Sequence, residues 1–305
     1  MSILSIENLS KNYGAVKALQ GVSFSVPAKT VFGILGPNGS GKTTLLGIVM
    51  DVLKASGGTY SWMGEQGSAT VRKTIGTLLE TPNFYHYLSA EENLRIAARI
   101  KGKGEEDIDK VLETVNLLQR KTSKFSTYSL GMKQRLAIAS SLLGDPEILV
   151  FDEPTNGLDP AGIAEIRELI KELNQKGKTI IMASHILDEV EKVCTHVAII
   201  QKGVLKTVGS VNEVMATSGA NAAAVLIELS AADNMGLKNV LQQMAGVISV
   251  TAADQSLQIT CEENITAEAV NKFCFEKGIV LSQLNQKKKS LETRFLEITG
   301  TKSEK

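Results

Sequence analysis

The sequence predicts an α/β fold followed by a small C-terminal α+β domain, and three observations carry that prediction. Apolar runs of strand length recur at 148–151, 179–183 and 197–201, with a helical segment at 163–173 between the first two. Strands buried on both faces read as continuous apolar runs, and their alternation with helices indicates an α/β sheet. A glycine-rich segment, 36–43, lies between the apolar run 31–35 and a helical pattern that starts at Lys42. After about Gly209 the apolar runs shorten and a second set of strands and helices begins.

Taken in order, the N-terminal residues read as short strands at 3–6, 22–26 and 31–35. They are rich in β-branched and aromatic residues and are broken by Gly14, Gly21 and Pro27. Past the helix from Lys42, Gly57 and Gly58 are expected to close a turn. From about 89 to 143 the pattern is helical. Ser89-Ala90-Glu91-Glu92 has the S-x-x-E form of a capping box, and Leu94, Ile96 and Ile100 follow at apolar spacing. Beyond 209, a small polar stretch at 218–224 reads as a linker. It precedes a strand (225–229), a helix (231–244), strands around Ile248 and Leu257, a helix (267–275) and a strand (279–284). That order is a split β-α-β-β-α-β unit. Lys287, Lys288 and Lys289 form an expected solvated turn before a last helix at 291–298. The expected domains are therefore 1–210 and 211–305.

Bulk properties narrow the function. The 305 residues are 43% hydrophobic and 22% charged, and 33 basic residues balance 33 acidic ones. This gives no support to a polyanion-binding surface, so nucleic acid is not an expected partner. Cys194, Cys261 and Cys274 lie far apart without C-x-x-C spacing. They read as buried thiols rather than zinc ligands or a disulfide framework. No basic segment followed by an apolar one opens the chain, and no run of about 18 apolar residues occurs. The expectation is a cytoplasmic protein, peripheral to a membrane through a partner.

Two motifs carry chemistry by themselves. Gly36-Pro37-Asn38-Gly39-Ser40-Gly41-Lys42-Thr43 fits G-x-x-x-x-G-K-[ST], and Thr44 continues it. Glycines let the backbone curl so that its N–H groups face phosphate oxygens, and the following helix adds its positive dipole end. Lys42 is suited to the β- and γ-phosphates, and the Thr43 hydroxyl to Mg²⁺. Residues 148–153 form an apolar strand ending in Asp152 and Glu153. Adjacent carboxylates at a buried strand end repel one another, and a divalent cation relieves that. Asp152 fits metal coordination through water, and Glu153 fits the polarisation of an attacking water.

Two further segments narrow the class. Tyr128-Ser129-Leu130-Gly131-Met132-Lys133-Gln134-Arg135 resembles the signature of ATP-binding cassette (ABC) proteins. Gly157-Leu158-Asp159-Pro160 resembles their D-loop, and His185 matches their switch histidine. The motifs occur in the family's order across residues 1–210. The resemblance implies a P-loop NTPase of ABC type: a mixed β-sheet core, an antiparallel β subdomain and a helical signature subdomain. It further implies a head-to-tail dimer with each ATP between one chain's P-loop and the other's signature. Ser129, Leu130, Gly131 and Met132 would then act in trans, Tyr13 would stack on adenine, and His185 would reach the γ-phosphate or the attacking water.

The chain departs from the family in two places. Glu80 stands where a glutamine is usual, and is the third candidate metal contact, through water. The signature carries Tyr128, Leu130 and Met132 for the common leucine, glycine and glutamine, while Ser129 and Gly131 are retained. Together these features resemble the ATPases of bacitracin-resistance and lantibiotic-immunity exporters. The implied function is the ATP-hydrolysing subunit of an exporter, with ATP and Mg²⁺, a separate integral-membrane permease and a second ABC subunit. A homodimer is expected and a heterodimer is the alternative. A soluble ABC ATPase acting on ribosomes or nucleic acid is the competing class. The C-terminal domain is read as a dimer-bracing or regulatory part.

Overall fold

The computed structural model describes residues 2–79, 83–216, 225–253, 256–262, 264–287 and 291–299. Glu80, the expected linker at 218–224, and Lys288 and Lys289 lie outside the described residues. The chain divides into two compact units, Met1–Val211 and Asn212–Lys305.

The first unit begins with β1 (Ser2–Tyr13), β2 (Val16–Pro27) and β3 (Val31–Leu35), followed by α1 (Lys42–Val49), β4 (Gly57–Trp62) and β5 (Glu65–Gln66). The short α2 (Ala69–Arg72) leads to β6 (Ile75–Leu78), and α3 (Ala90–Lys101), α4 (Ile108–Thr114) and α5 (Leu130–Leu142) form a helical subdomain. Then β7 (Ile148–Asp152), α6 (Pro160–Gln175), β8 (Thr179–Ser184), α7 (Leu187–Val193), β9 (His196–Gln201) and β10 (Val204–Ser210) complete the sheet. The central sheet runs β10-β9-β3-β8-β7-β6, and the four pairings from β9 to β6 are parallel. A second, antiparallel sheet runs β2-β1-β4-β5.

Every residue of β3, β7 and β8 is buried, which is why those segments read as unbroken apolar runs. By contrast, β1 and β2 extend well beyond the apolar cores expected for them. Their pairing contains register shifts that mix buried and exposed positions, and this hides the period-2 signal. Gly57 and Gly58 open β4 rather than closing a turn. Gly58 has φ +80°, and a Cβ there would lie 2.3 Å from the Asn8 carbonyl oxygen. The site therefore requires glycine for both conformation and close approach. The core fills the space between the sheets and α1 with Leu9, Leu19, Phe32, Leu45, Leu46 and Trp62. The Trp62 indole N–H donates to the Val49 carbonyl at 2.9 Å, so a buried polar atom is satisfied.

The helical subdomain is capped as its sequence implies. Ser89 accepts from the Glu92 N–H, and the Glu92 carboxylate accepts from the Ser89 N–H at 2.7 Å. Lys101, in the last turn of α3, donates to the Leu143 carbonyl at 2.6 Å, beside the end of α5. Burial, aided by repulsion from Lys103 and Lys178, pulls the Lys101 ammonium down from 10.5 to about 8. The folded value lies below the unfolded one, so the unfolded chain binds more protons between those two pH values. Wild type should therefore gain stability relative to Lys101→Met as pH rises from about 8 toward 10.5. Urea unfolding of both chains across that window checks this, and a pH-independent difference would contradict it.

The second unit contains α8 (Val211–Ala216, whose first residue closes the first unit), β11 (Val225–Ala231), α9 (Asn234–Leu241), β12 (Val247–Ala253) and β13 (Ser256–Cys261). It ends with α10 (Ala267–Glu276), β14 (Leu281–Lys287) and α11 (Leu291–Thr299). Its sheet runs β12-β13-β11-β14 with every pairing antiparallel, so the unit is a split β-α-β-β-α-β fold. Burial alternates along β13, and Ile227, Leu229, Ile259, Leu237, Leu241 and Val270 form one core. Cys194, Cys261 and Cys274 are free and buried, and burial raises each thiol above its usual range.

Candidate nucleotide site

The glycine-rich segment joins β3 to α1, as the strand–loop–helix reading requires. Gly41 caps α1 with φ 108°, and a Cβ there would sit 2.6 Å from the Ala18 carbonyl oxygen. The loop is braced by Ser40 N–H to the Pro37 carbonyl (3.1 Å) and by Gly203 N–H to the Ser40 carbonyl (2.9 Å). Lys42 is 5% exposed. Its ammonium donates to the Gly36 and Pro37 carbonyls at 2.9 and 3.4 Å, curling the loop around itself. The same ammonium lies 3.3 Å from Glu153 Oε1.

Asp152 and Glu153 stand at the end of β7, beside β3's other neighbour, β8. Asp152 is buried. Glu153 takes φ +49°, a left-handed conformation that costs an ordinary residue about 1–2 kcal/mol. Its N–H donates to the Ala183 carbonyl of β8 at 3.0 Å. Its second carboxylate oxygen is 2.9 Å from His185 Nδ1, just past the end of β8. Glu153 is thus held between the Lys42 ammonium and the His185 ring.

A cavity of about 610 Å³ opens over the loop, lined by Asn38, Gly39, Gly41, Lys42, Thr43, Thr44 and Glu153. Thr43 is exposed to it. Val16, Lys17, Gln20 and Lys202 also line this cavity, and none of them belongs to a recognisable motif. Gln20 donates to the Lys202 carbonyl at 2.8 Å, tying β2 to the β9–β10 turn. Tyr13 is 47% exposed, pairs in register with Val16 and carries the Lys11 ammonium 4.9 Å from its ring centroid.

None of Ser129, Leu130, Gly131 and Met132 lines this cavity. Ser129 caps α5, accepting from the Met132 N–H at 3.3 Å. Ser129 and Leu130 are exposed at a helix N-terminus, where partial positive charge is available to an anion. Tyr128 is buried instead of lining that surface, and its hydroxyl donates to the Arg120 carbonyl at 2.8 Å. Asp159 caps α6 by accepting from the Gly162 N–H at 3.0 Å.

Among the described residues no group of three His, Cys, Asp or Glu side chains gathers to hold a metal. The oxygen groups that the two motifs offer are the Thr43 hydroxyl, which lines the cavity, and the Asp152 carboxylate, buried at the end of β7. An all-oxygen set of few protein ligands suits Mg²⁺, which keeps several waters and completes its shell with substrate phosphates.

A phosphate-binding loop beside paired acids, a downstream histidine and a serine-capped helix defines a P-loop ATPase with the ABC arrangement. Residues 19–156 match the family described as ABC transporter. The chain is 38% identical to the uncharacterised ABC transporter ATP-binding protein YhcH of Bacillus subtilis, over 99% of this chain and 98% of that one. It is 32% identical to the bacitracin transport ATP-binding protein BcrA of Enterococcus faecalis, covering 98% and 96% respectively. It is 39% identical to the lantibiotic transport ATP-binding protein SrtF of Streptococcus pyogenes, covering 66% and 88%. Its fold matches cbiO1 of Clostridium perfringens, part of the cbiONQ ABC transporter complex, with TM-score 0.64 at 30% identity over 70% and 91% of the two chains. The chain belongs to the ATP-binding subunits of ABC transporters. It binds and hydrolyses ATP in the service of transport, and its relatives favour that reading over the ribosome or nucleic-acid alternative. No helix among the described residues is long and apolar enough to cross a membrane.

Proposed function

We propose that this subunit drives export through a separate membrane permease, and that the Lys42–Glu153–His185 constellation performs the hydrolysis. In this reading the P-loop N–H groups and Lys42 bind the β- and γ-phosphates. As phosphate takes over Lys42, Glu153 is released to accept the proton of the attacking water, and His185 turns to the γ-phosphate. Thr43 and Asp152 would hold Mg²⁺, which would supply charge neutralisation for the phosphates. Tyr13 takes the adenine. Ser129 to Met132 and Asp159 meet the nucleotide of a second subunit, so that ATP glues two chains and hydrolysis lets them part. The observation that carries this reading is the two-sided grip on Glu153, by Lys42 and by His185, at the mouth of a phosphate-binding loop.

Coupling requires a membrane partner. A cavity of about 610 Å³ lined by Leu79, Phe84, Ile96 and Ile100 together with Thr77, Asn83 and Asn93 supports the docking of an amphipathic helix beside the nucleotide-binding core. That contact would hold the protein at the inner face of the membrane. The names of BcrA and SrtF support a peptide antibiotic as the cargo. The C-terminal unit is assigned a bracing or regulatory part, because no catalytic constellation appears among its described residues.

The test is isolation of the tagged protein from its native membranes in mild detergent. A multispanning membrane protein in stoichiometric amount supports the proposal. Recovery without any membrane protein overturns the export assignment and leaves the ATPase standing.

A further inference from the structure

β7 and β8 are parallel neighbours, and the segments leaving them carry the reacting side chains. The two segments are joined at the surface by Glu153 and His185. A second, inner joint lies beneath that one. Thr155, two residues past Glu153, is 4% exposed, and its hydroxyl donates to Glu189, four residues past His185 on α7. Glu189 is also 4% exposed.

A carboxylate is costly to bury, and a helix this close to the surface could have held a smaller apolar residue there. Burial raises the Glu189 carboxyl above its usual range, and nearby Glu153 adds to this; the Thr155 hydrogen bond, the Arg167 guanidinium of α6 and His185 oppose it. Its other oxygen, Oε1, and Arg167 Nε are both buried without a hydrogen-bond partner among the described residues. The group is therefore retained at an energetic cost, and it connects three elements: the loop after β7, α6 through the charge of Arg167, and α7.

We propose that Glu189 is a positioning residue for ATP hydrolysis, whose hydrogen bond from Thr155 holds the Glu153 loop in register with His185. The need for such a joint follows from the reaction. Glu153 sits in a left-handed backbone conformation, and such strain persists only where surrounding contacts over-determine it. In the proposed cycle the outer contact is surrendered, because Glu153 turns to water and His185 to phosphate. The inner contact touches neither, so it remains in place while the chemistry occurs.

The inference rests on the assignment of Glu153 and His185, and the test separates the two. Full-length wild type, Glu189→Ala, Thr155→Val, Thr155→Ser and Glu153→Gln are compared in ATP turnover. Glu189→Ala and Thr155→Val are each expected to lower kcat about tenfold with KM for ATP unchanged, a misplacement effect. The double variant should be no worse than Glu189→Ala alone, since both remove one bond. Thr155→Ser keeps the hydroxyl and should restore turnover. The Thr155 pair carries the test if Glu189→Ala does not fold. Wild-type kcat in Thr155→Val, or a raised KM with kcat unchanged, overturns the proposal. Turnover that survives Glu153→Gln overturns the underlying site assignment instead.

Discussion

Glu153→Gln should abolish most ATP turnover while leaving ATP binding intact. The side chain keeps its length and the backbone keeps its left-handed turn, so the local fold is preserved. What is lost is the carboxylate proposed to accept a proton from water, a contribution of about 10²- to 10⁴-fold. Binding should hold or tighten, because a negative charge 3.3 Å from the Lys42 ammonium no longer competes with phosphate for it. Steady-state phosphate release and equilibrium binding of a labelled nucleotide separate the two effects. A parallel loss of affinity would show that Glu153 acts through the architecture of the loop and not through proton transfer. Glu153→Gly sharpens the point. Relief of the positive φ, about 1–2 kcal/mol, should offset the loss of the Lys42 and His185 contacts, so that unfolding stability changes little while turnover is lost.

Lys42→Met should have the second large effect, on binding itself. Lys42 is nearly buried and makes two bonds to the loop's own carbonyls, Gly36 and Pro37. Methionine fills similar volume but supplies neither those bonds nor a cation for phosphate. Loss of a charge-assisted hydrogen bond worth about 1.5–3 kcal/mol corresponds to roughly 10- to 150-fold weaker ATP binding. Titration with ATP, read by intrinsic fluorescence or calorimetry, measures the effect. Unaltered affinity would mean that the backbone amides alone hold the phosphates.

Where side-chain periodicity or a fixed spacing reports on structure, sequence and fold agree. The buried strands β3, β7, β8 and β9 announce themselves because both faces are covered. The capping box at Ser89 and Glu92 is a local pattern and needs no tertiary information. The β-α-β-β-α-β order of the second unit follows from punctuation by short polar turns. The left-handed turn at Glu153 was not legible, since nothing in its identity distinguishes it from an ordinary strand-end acid. Nor was the joint between Thr155 and Glu189, which depends on the parallel pairing of β7 with β8. Residues that line the nucleotide cavity from β2 and from the β9–β10 turn were missed for a related reason. They carry no motif and reach the site only because Gly203 and Gln20 tie that turn to the P-loop and to β2. The two substitutions flanking Ser129 became intelligible in different degrees. Tyr128 serves the subdomain through its bond to Arg120, and Leu130 lies against Gly157, whose added Cβ would meet it at 3.1 Å.

In the proposed dimer each ATP is hydrolysed between the P-loop of one chain and the serine-capped α5 of another. A mixture of two inactive chains tests this most directly. Lys42→Met retains Ser129 and Gly131, whereas Ser129→Arg retains the P-loop. In a mixed dimer one site combines both defects and the other combines neither. The measurement is ATP turnover of each variant alone and of the two combined at equal concentration. Neither variant alone should turn over ATP appreciably, and the mixture should regain activity. A mixture no more active than the sum of its parts, with mixed dimers demonstrably present, would contradict a shared site.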